Sequence, residues 1–244
     1  LLVLTPTRRA NREQIKLAGM EQYDVNGDCF RWLNNVRQQY QDYAQNIFIG
    51  GLGGCRGDAY KPGESLSREE AYRFHQYQIR ALVEAGVDFL IAETLPALEE
   101  ALGIAGVMSQ TGCPYMISFV IRSDGTVLDG TRISDAIRAI DETVSPAPLC
   151  FMVNCVHPSV LARAIAFNED RELICRRVWG IQGNTSRKSP EELDNALELQ
   201  TEEAIPFAQS MMELYQAYGL KILGGCCGTN ERHIEELARR LMVS

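Results

Sequence analysis

Val87-Asp88-Phe89-Leu90-Ile91-Ala92-Glu93 is the stretch that decides how this chain folds: a short apolar, β-rich run that ends on a carboxylate. Before it lies the amphipathic segment Ser67 to Ala85, whose start Ser67-Arg68-Glu69-Glu70 has the form of a capping box. After it come a second helical pattern, Leu98 to Gln110, and another apolar run, Tyr115 to Ile121. The same alternation extends both ways. Strands are expected at Leu1 to Thr5, Asn46 to Gly50, Leu149 to Cys155, Val178 to Gly183 and Leu220 to Gly224, and helices at Ser134 to Thr143, Pro158 to Asn168, Glu202 to Tyr218 and Glu231 to Met242. Strands alternating with helices imply right-handed βαβ units and a parallel sheet.

Seven such strands are one short of a (β/α)8 TIM barrel, and the chain opens directly on an apolar strand. The expectation is therefore one α/β barrel domain over residues 1–244, N-terminally incomplete, with the first strand absent. A doubly wound open sheet is the rival. It requires a Gly-x-Gly-x-x-Gly turn between strand and helix for a dinucleotide, and Gly50-Gly51-Leu52-Gly53-Gly54, followed by a polar, loop-like segment to Glu64, is only a weak match. Ser186 to Asn195 reads as a polar, mobile loop.

Composition narrows the function. A formal net charge of −8 speaks against a nucleic-acid surface, which needs clustered Lys and Arg. No apolar run reaches the roughly 18 residues of a membrane span, and no export signal opens the chain, so a soluble cytoplasmic protein binding small molecules is expected. The eight cysteines fit reduced thiols better than a disulfide framework, because a chain of this size builds its own core. Oligomeric state is not legible.

In a parallel barrel the working residues gather at the C-terminal ends of strands. Glu93, Cys155, Asn184 and the pair Cys226/Cys227 all fall there. The pair lies in Gly224-Gly225-Cys226-Cys227-Gly228-Thr229, where flanking glycines let the backbone leave the strand so that neighbouring side chains can act together. Three thiolates and one open position are the pattern of a catalytic zinc; a small packed Cys155 beside an incidental or vicinal-disulfide pair is the other reading. His157, two residues from Cys155, is either a fourth ligand or a cap for its loop. Glu93 can bind an ammonium, act as a base, or serve as a helix N-terminal charge. Asp124-Gly125 reads as a turn, and His75 and His233 as surface or packing residues within helices.

Together these residues resemble the homocysteine S-methyltransferase family, which includes S-methylmethionine- and betaine-dependent enzymes. The resemblance rests on Val87 to Pro96 (VDFLIAETLP), Val153-Asn154-Cys155 with Pro158, Asn184 in Gly-Asn-Thr-Ser, and Leu223 to Thr229 (LGGCCGT). It implies that Cys155, Cys226 and Cys227 bind Zn2+, that Glu93 holds the amino group of homocysteine, and that Asn184 lines the same pocket. Thr5 and Thr7 fall at the family's Thr-x-Thr substrate positions, whereas Arg8 stands where an aromatic is usual, and Cys55, after the Gly51-Leu52-Gly53-Gly54 turn, is either a thiol near the mouth or a packed one. The implied reaction moves a methyl group from a sulfonium or ammonium donor to the homocysteine thiolate, with Tyr60 a candidate for contact with the cationic donor. Related alternatives are another thiol or selenol acceptor, a corrinoid partner, or a catalytically silent zinc barrel.

Overall fold

Side chains along the central strands alternate between two environments, and that alternation sets the architecture. A computed structural model describes residues 1–189, 192 and 201–242. Seven strands lie side by side in chain order, all parallel: β1 (Leu2–Leu4), β2 (Phe48–Gly54), β3 (Phe89–Leu95), β4 (Tyr115–Phe119), β5 (Cys150–Val156), β6 (Val178–Gly183) and β7 (Ile222–Gly225). Helices α1 (Arg12–Leu17), α2 (Val25–Gln38), α3 (Arg68–Ala85), α4 (Leu98–Ser109), α5 (Ile133–Thr143), α6 (Pro158–Ala166), α7 (Arg171–Arg177) and α8 (Ala204–Tyr218) connect them, and α9 (Glu231–Leu241) follows β7.

Leu90, Ala92, Ile117, Phe119, Phe151, Val153 and Ile181 face outward into the core shared with the helices. Phe89, Ile91, Met116 and Met152 face the other way and form a second cluster with Leu4 and Ile222. That inner set lines a cavity of about 390 Å³ whose walls come from β1, β3, β4, β5, β6 and β7 at once. One cavity touched by both ends of a sheet means that the sheet curls around it. The expected barrel frame is thus present with seven strands, and β1 and β7 form its two edges.

Local chemistry explains the element ends. The Glu70 carboxylate accepts the Ser67 N–H at 3.1 Å, completing the expected capping box of α3. β2 runs four residues further than its sequence suggested, with Gly50–Gly54 paired to Phe89–Glu93. Glycines that read as a turn are strand residues here because neighbours occupy the side-chain space: a Cβ on Gly50 would stand 2.4 Å from the Phe89 ring. Helices α1, α2 and α7 were not expected. The first two are capped by Asn11, which accepts the Gln14 N–H at 3.0 Å, and Asp24, which accepts the Gly27 N–H at 3.1 Å.

His75 and His233 are buried packing residues rather than surface ones. His75 Nε2 lies 3.0 Å from Glu100 Oε1, and His233 Nε2 lies 2.9 Å from the Glu202 carbonyl. Asp124-Gly125 is the expected turn, with Asp124 Oδ1 accepting the Thr126 N–H. Of the Ser186 to Asn195 loop, residues 190, 191 and 193–195 lie outside the described residues. Among those described, no helix is long and apolar enough to cross a membrane.

Candidate metal centre and substrate pocket

Cys155 reaches the mouth of the barrel because β5 breaks its own alternation. Its φ is +61°, and the pairing with β6 shifts register between Asn154 and Val156. A branch-free thiol in the left-handed region is strained backbone of the kind found where a side chain must be re-aimed. Cys226 and Cys227 lie just beyond β7, in a turn held down by backbone bonds. The Cys226 N–H donates to Gly183 O at 2.7 Å, the Thr185 N–H donates to Cys227 O at 3.2 Å, and Thr229 Oγ1 donates to Cys226 O at 2.7 Å. Gly228 closes the turn at φ +81°, where a Cβ would also stand 2.0 Å from Thr185 Oγ1.

These two turns bring three sulfurs together. Sγ of Cys155 is 3.2 Å from Cys226 and 3.4 Å from Cys227, and the pair is separated by 4.0 Å. The edges of a tetrahedron with Zn–S bonds of about 2.3 Å measure about 3.8 Å, so the donor set fits zinc in number, type and spacing. Cys226 and Cys227 are free thiols, not a vicinal disulfide. Hydrogen bonds from Cys155 and Cys226 lower the pKa of Cys227, with the Arg8 charge assisting. The Cys226 thiol is correspondingly raised, by its bonds to Cys155 and Cys227 and by burial.

Among the described residues, no His, Asp or Glu joins the three sulfurs in such a cluster. His157 has other duties. Its Nδ1 accepts the Ser159 N–H at 3.1 Å, capping α6, while Nε2 lies 3.1 Å from Glu202 Oε2. Burial lowers its pKa, which favours the neutral ring.

A polar layer sits above the apolar interior. Following the inward parity of Ile91, Met116 and Met152, the next inward positions are Glu93, Ser118 and Asn154, all buried. Asn154 Oδ1 accepts from the Thr94 N–H at 2.9 Å and from Ser118 Oγ at 2.7 Å, and its Nδ2 donates to Thr94 Oγ1 at 3.0 Å. Thr94 itself has φ +58°, at the register shift between Ala92 and Leu95. One side chain thus stitches together the two strained positions, Thr94 and the neighbouring Cys155, and so fixes how Glu93 and the thiol are presented. Burial pushes the Glu93 carboxyl up to about 7; Gln182 and Arg8 pull it down, and Cys155 pushes it further up.

The other expected residues divide clearly. Asn184 is buried at the end of β6, and its Oδ1 accepts the Ser186 N–H at 2.8 Å. Thr5 and Thr7 are fully buried and their hydroxyls lie 2.7 Å apart; Thr7 Oγ1 donates to Leu52 O at 2.8 Å and Thr5 Oγ1 accepts the Leu52 N–H at 3.0 Å. Both hydroxyls are engaged in tying the end of β1 to β2. Tyr60 donates its hydroxyl to Cys155 Sγ at 3.5 Å, and burial holds its pKa far above the usual phenol value, so it remains a donor. Arg8 Nε donates to Thr94 Oγ1 at 3.3 Å. Cys55 is a packed thiol, buried and raised to about 11 by that burial.

A parallel barrel frame with three converging cysteine sulfurs and a buried carboxylate at the C-terminal ends of its strands defines a barrel protein with a thiol-rich mouth. The profile of the homocysteine S-methyltransferase family matches residues 2–241, and the chain belongs to that family. It is 29% identical over 189 residues to homocysteine S-methyltransferase YbgG of Bacillus subtilis, covering 75% of this chain and 56% of the relative. It is 25% identical over 187 residues to homocysteine S-methyltransferase of Escherichia coli, covering 75% and 57%. Selenocysteine Se-methyltransferase of Brassica oleracea is 23% identical over 184 residues, covering 74% and 51%. The chain thus spans about half the length of the curated relatives it matches. The metallated form of the E. coli homocysteine methyltransferase MmuM superposes with a TM-score of 0.79 at 21% identity, covering 98% of this chain and 79% of that one, and shows the same fold.

Proposed function

We propose that residues 1–244 form one homocysteine-binding unit of a zinc-dependent homocysteine S-methyltransferase, with Cys155, Cys226 and Cys227 holding the ion. The convergence of three sulfurs without a fourth protein ligand among the described residues carries this reading, because structural zinc sites are closed and catalytic ones keep a position for substrate. That the E. coli homocysteine methyltransferase MmuM has a metallated form is in keeping with a metal in this protein. Zinc bound there supplies Lewis acidity that ionises a thiol near neutral pH.

The chain's own residues would do the rest. Glu93, ionised against the substrate ammonium, orients homocysteine so that its sulfur lies at the thiol cluster. Asn184 would offer its amide NH2 from the end of β6. Thr5 and Thr7 contribute by fixing Leu52 and the β1 end rather than by direct contact. Tyr60, by donating to Cys155 Sγ, steadies that sulfur without competing as an anion. In the transfer, a sulfur lone pair of the thiolate forms the new S–C bond as the methyl's bond to the positive sulfonium or ammonium centre breaks. The products are methionine and an uncharged leaving group, and the thiol proton goes to solvent. A selenol acceptor is the second reading, since one relative is named a selenocysteine Se-methyltransferase.

The test is a set of parallel incubations of zinc-loaded protein with homocysteine and S-methylmethionine, S-adenosylmethionine, betaine or methylcobalamin, with methionine measured by mass spectrometry. Methionine is expected with at least one sulfonium or ammonium donor. Product with methylcobalamin alone would point to a corrinoid partner. The absence of product with every donor, together with no calorimetric binding of homocysteine, would overturn the assignment.

A further inference from the structure

The polar layer of the mouth has one more member than the sequence pattern showed. β6 continues the inward parity from Gly180 to Gln182, which pairs with Asn154 on β5 and Gly224 on β7. Gln182 lines the interior cavity among apolar side chains. Within this layer Ser118, Asn154 and Thr94 satisfy one another. Glu93 and Gln182 do not: Glu93 Oε1 and Gln182 Oε1 are both buried without a hydrogen-bond partner. The two side chains stand close enough for Gln182 to pull the Glu93 carboxyl pKa down.

Two buried acceptors in one layer, each lacking a donor, are costly unless a ligand supplies donors. A carboxylate and an amide oxygen call for a group with several N–H bonds and one positive charge. We propose that Gln182 is a specificity-determining residue of this site: Glu93 Oε1 and Gln182 Oε1 jointly accept hydrogen bonds from a primary ammonium, so that the acceptor substrate is selected as an α-amino thiol and not as a simple thiol. The inference rests on the homocysteine reading above and adds to it a second contact, from a different strand. It also gives the discrimination a physical basis, because a ligand without the amine leaves both oxygens buried and unpaired.

Calorimetric binding to zinc-loaded protein separates the possibilities, with L-homocysteine and 4-mercaptobutanoate as probes; the second keeps the thiol and carboxylate and lacks only the amine. Wild type is expected to bind homocysteine more tightly. Gln182→Leu should weaken homocysteine by about 10- to 100-fold, the usual scale for a hydrogen bond to a charged group, and change 4-mercaptobutanoate by less than about twofold. Gln182→Glu, which retains an acceptor oxygen at the same reach, should retain the preference for homocysteine and serves as the comparison should the leucine variant fold poorly. Zinc content and thermal unfolding report on each variant's integrity. Equal weakening of both ligands by Gln182→Leu, no change in either, or loss of the preference in Gln182→Glu would overturn the role of Gln182 while leaving the homocysteine assignment intact. Failure of wild type to bind either thiol would instead overturn the assignment itself, and Gln182's role with it.

Discussion

Cys226→Ser is expected to strip the protein of zinc. The serine hydroxyl is a poor substitute for a thiolate at neutral pH, so only Cys155 and Cys227 would remain as protein donors. Loss of a group that merely supports a ligand typically costs roughly 10- to 100-fold in metal affinity, and loss of a ligand should exceed that. After dialysis against a chelator, metal analysis should find close to one zinc per wild-type chain and little in Cys226→Ser. Cys55→Ser is the matched control: Cys55 is equally a free thiol but is buried outside the cluster, and the zinc content of that variant should match wild type. Zinc retained in full by Cys226→Ser would mean that the three sulfurs are a packing coincidence.

Asn154→Ala is expected to damage stability and metal binding together, although Asn154 is not a ligand. Its amide makes three bonds, to the Thr94 N–H, Thr94 Oγ1 and Ser118 Oγ. Alanine leaves the Thr94 N–H and the Ser118 hydroxyl buried without acceptors, at about 1–3 kcal/mol for each unsatisfied group, or roughly 2–6 kcal/mol in all. It also removes the support for the left-handed backbone at Thr94 and for the neighbouring Cys155, and such strain persists only while its surroundings impose it. Urea denaturation should show the midpoint falling in the metal-free protein, and a competing chelator should extract zinc more readily from the variant. Unchanged values in both measurements would show that the network is ornamental to the site.

How legible a residue is in the sequence depends on what its signal needs. β3, β5 and β6 were legible because buried parallel strands read as apolar runs. The sulfur cluster was legible because strand-end placement is a consequence of topology. The end of β2 was not: Gly50 to Gly54 has the composition of a turn, and only the Phe89 ring against Gly50 explains why it continues as strand. Helices α1 and α2 carry their signals in the caps Asn11 and Asp24, whose polar helices lack a long apolar period. Asn154 stood inside a recognised motif, yet its role depends on a partner 60 residues away. Tyr60 reaches Cys155 across 95 residues from a loop whose path no local pattern encodes. Gln182 carried no signal either, since its inward position depends on a register known only once the strands are paired.

The two sheet edges impose a rule of connectivity. β1 and β7 border the same cavity, and every neighbouring pair in the sheet is parallel. A strand lying between them in the same direction could not be reached by a tight hairpin from either edge, because antiparallel neighbours alone can be joined that way. It would have to arrive by a crossover of roughly a dozen residues or more.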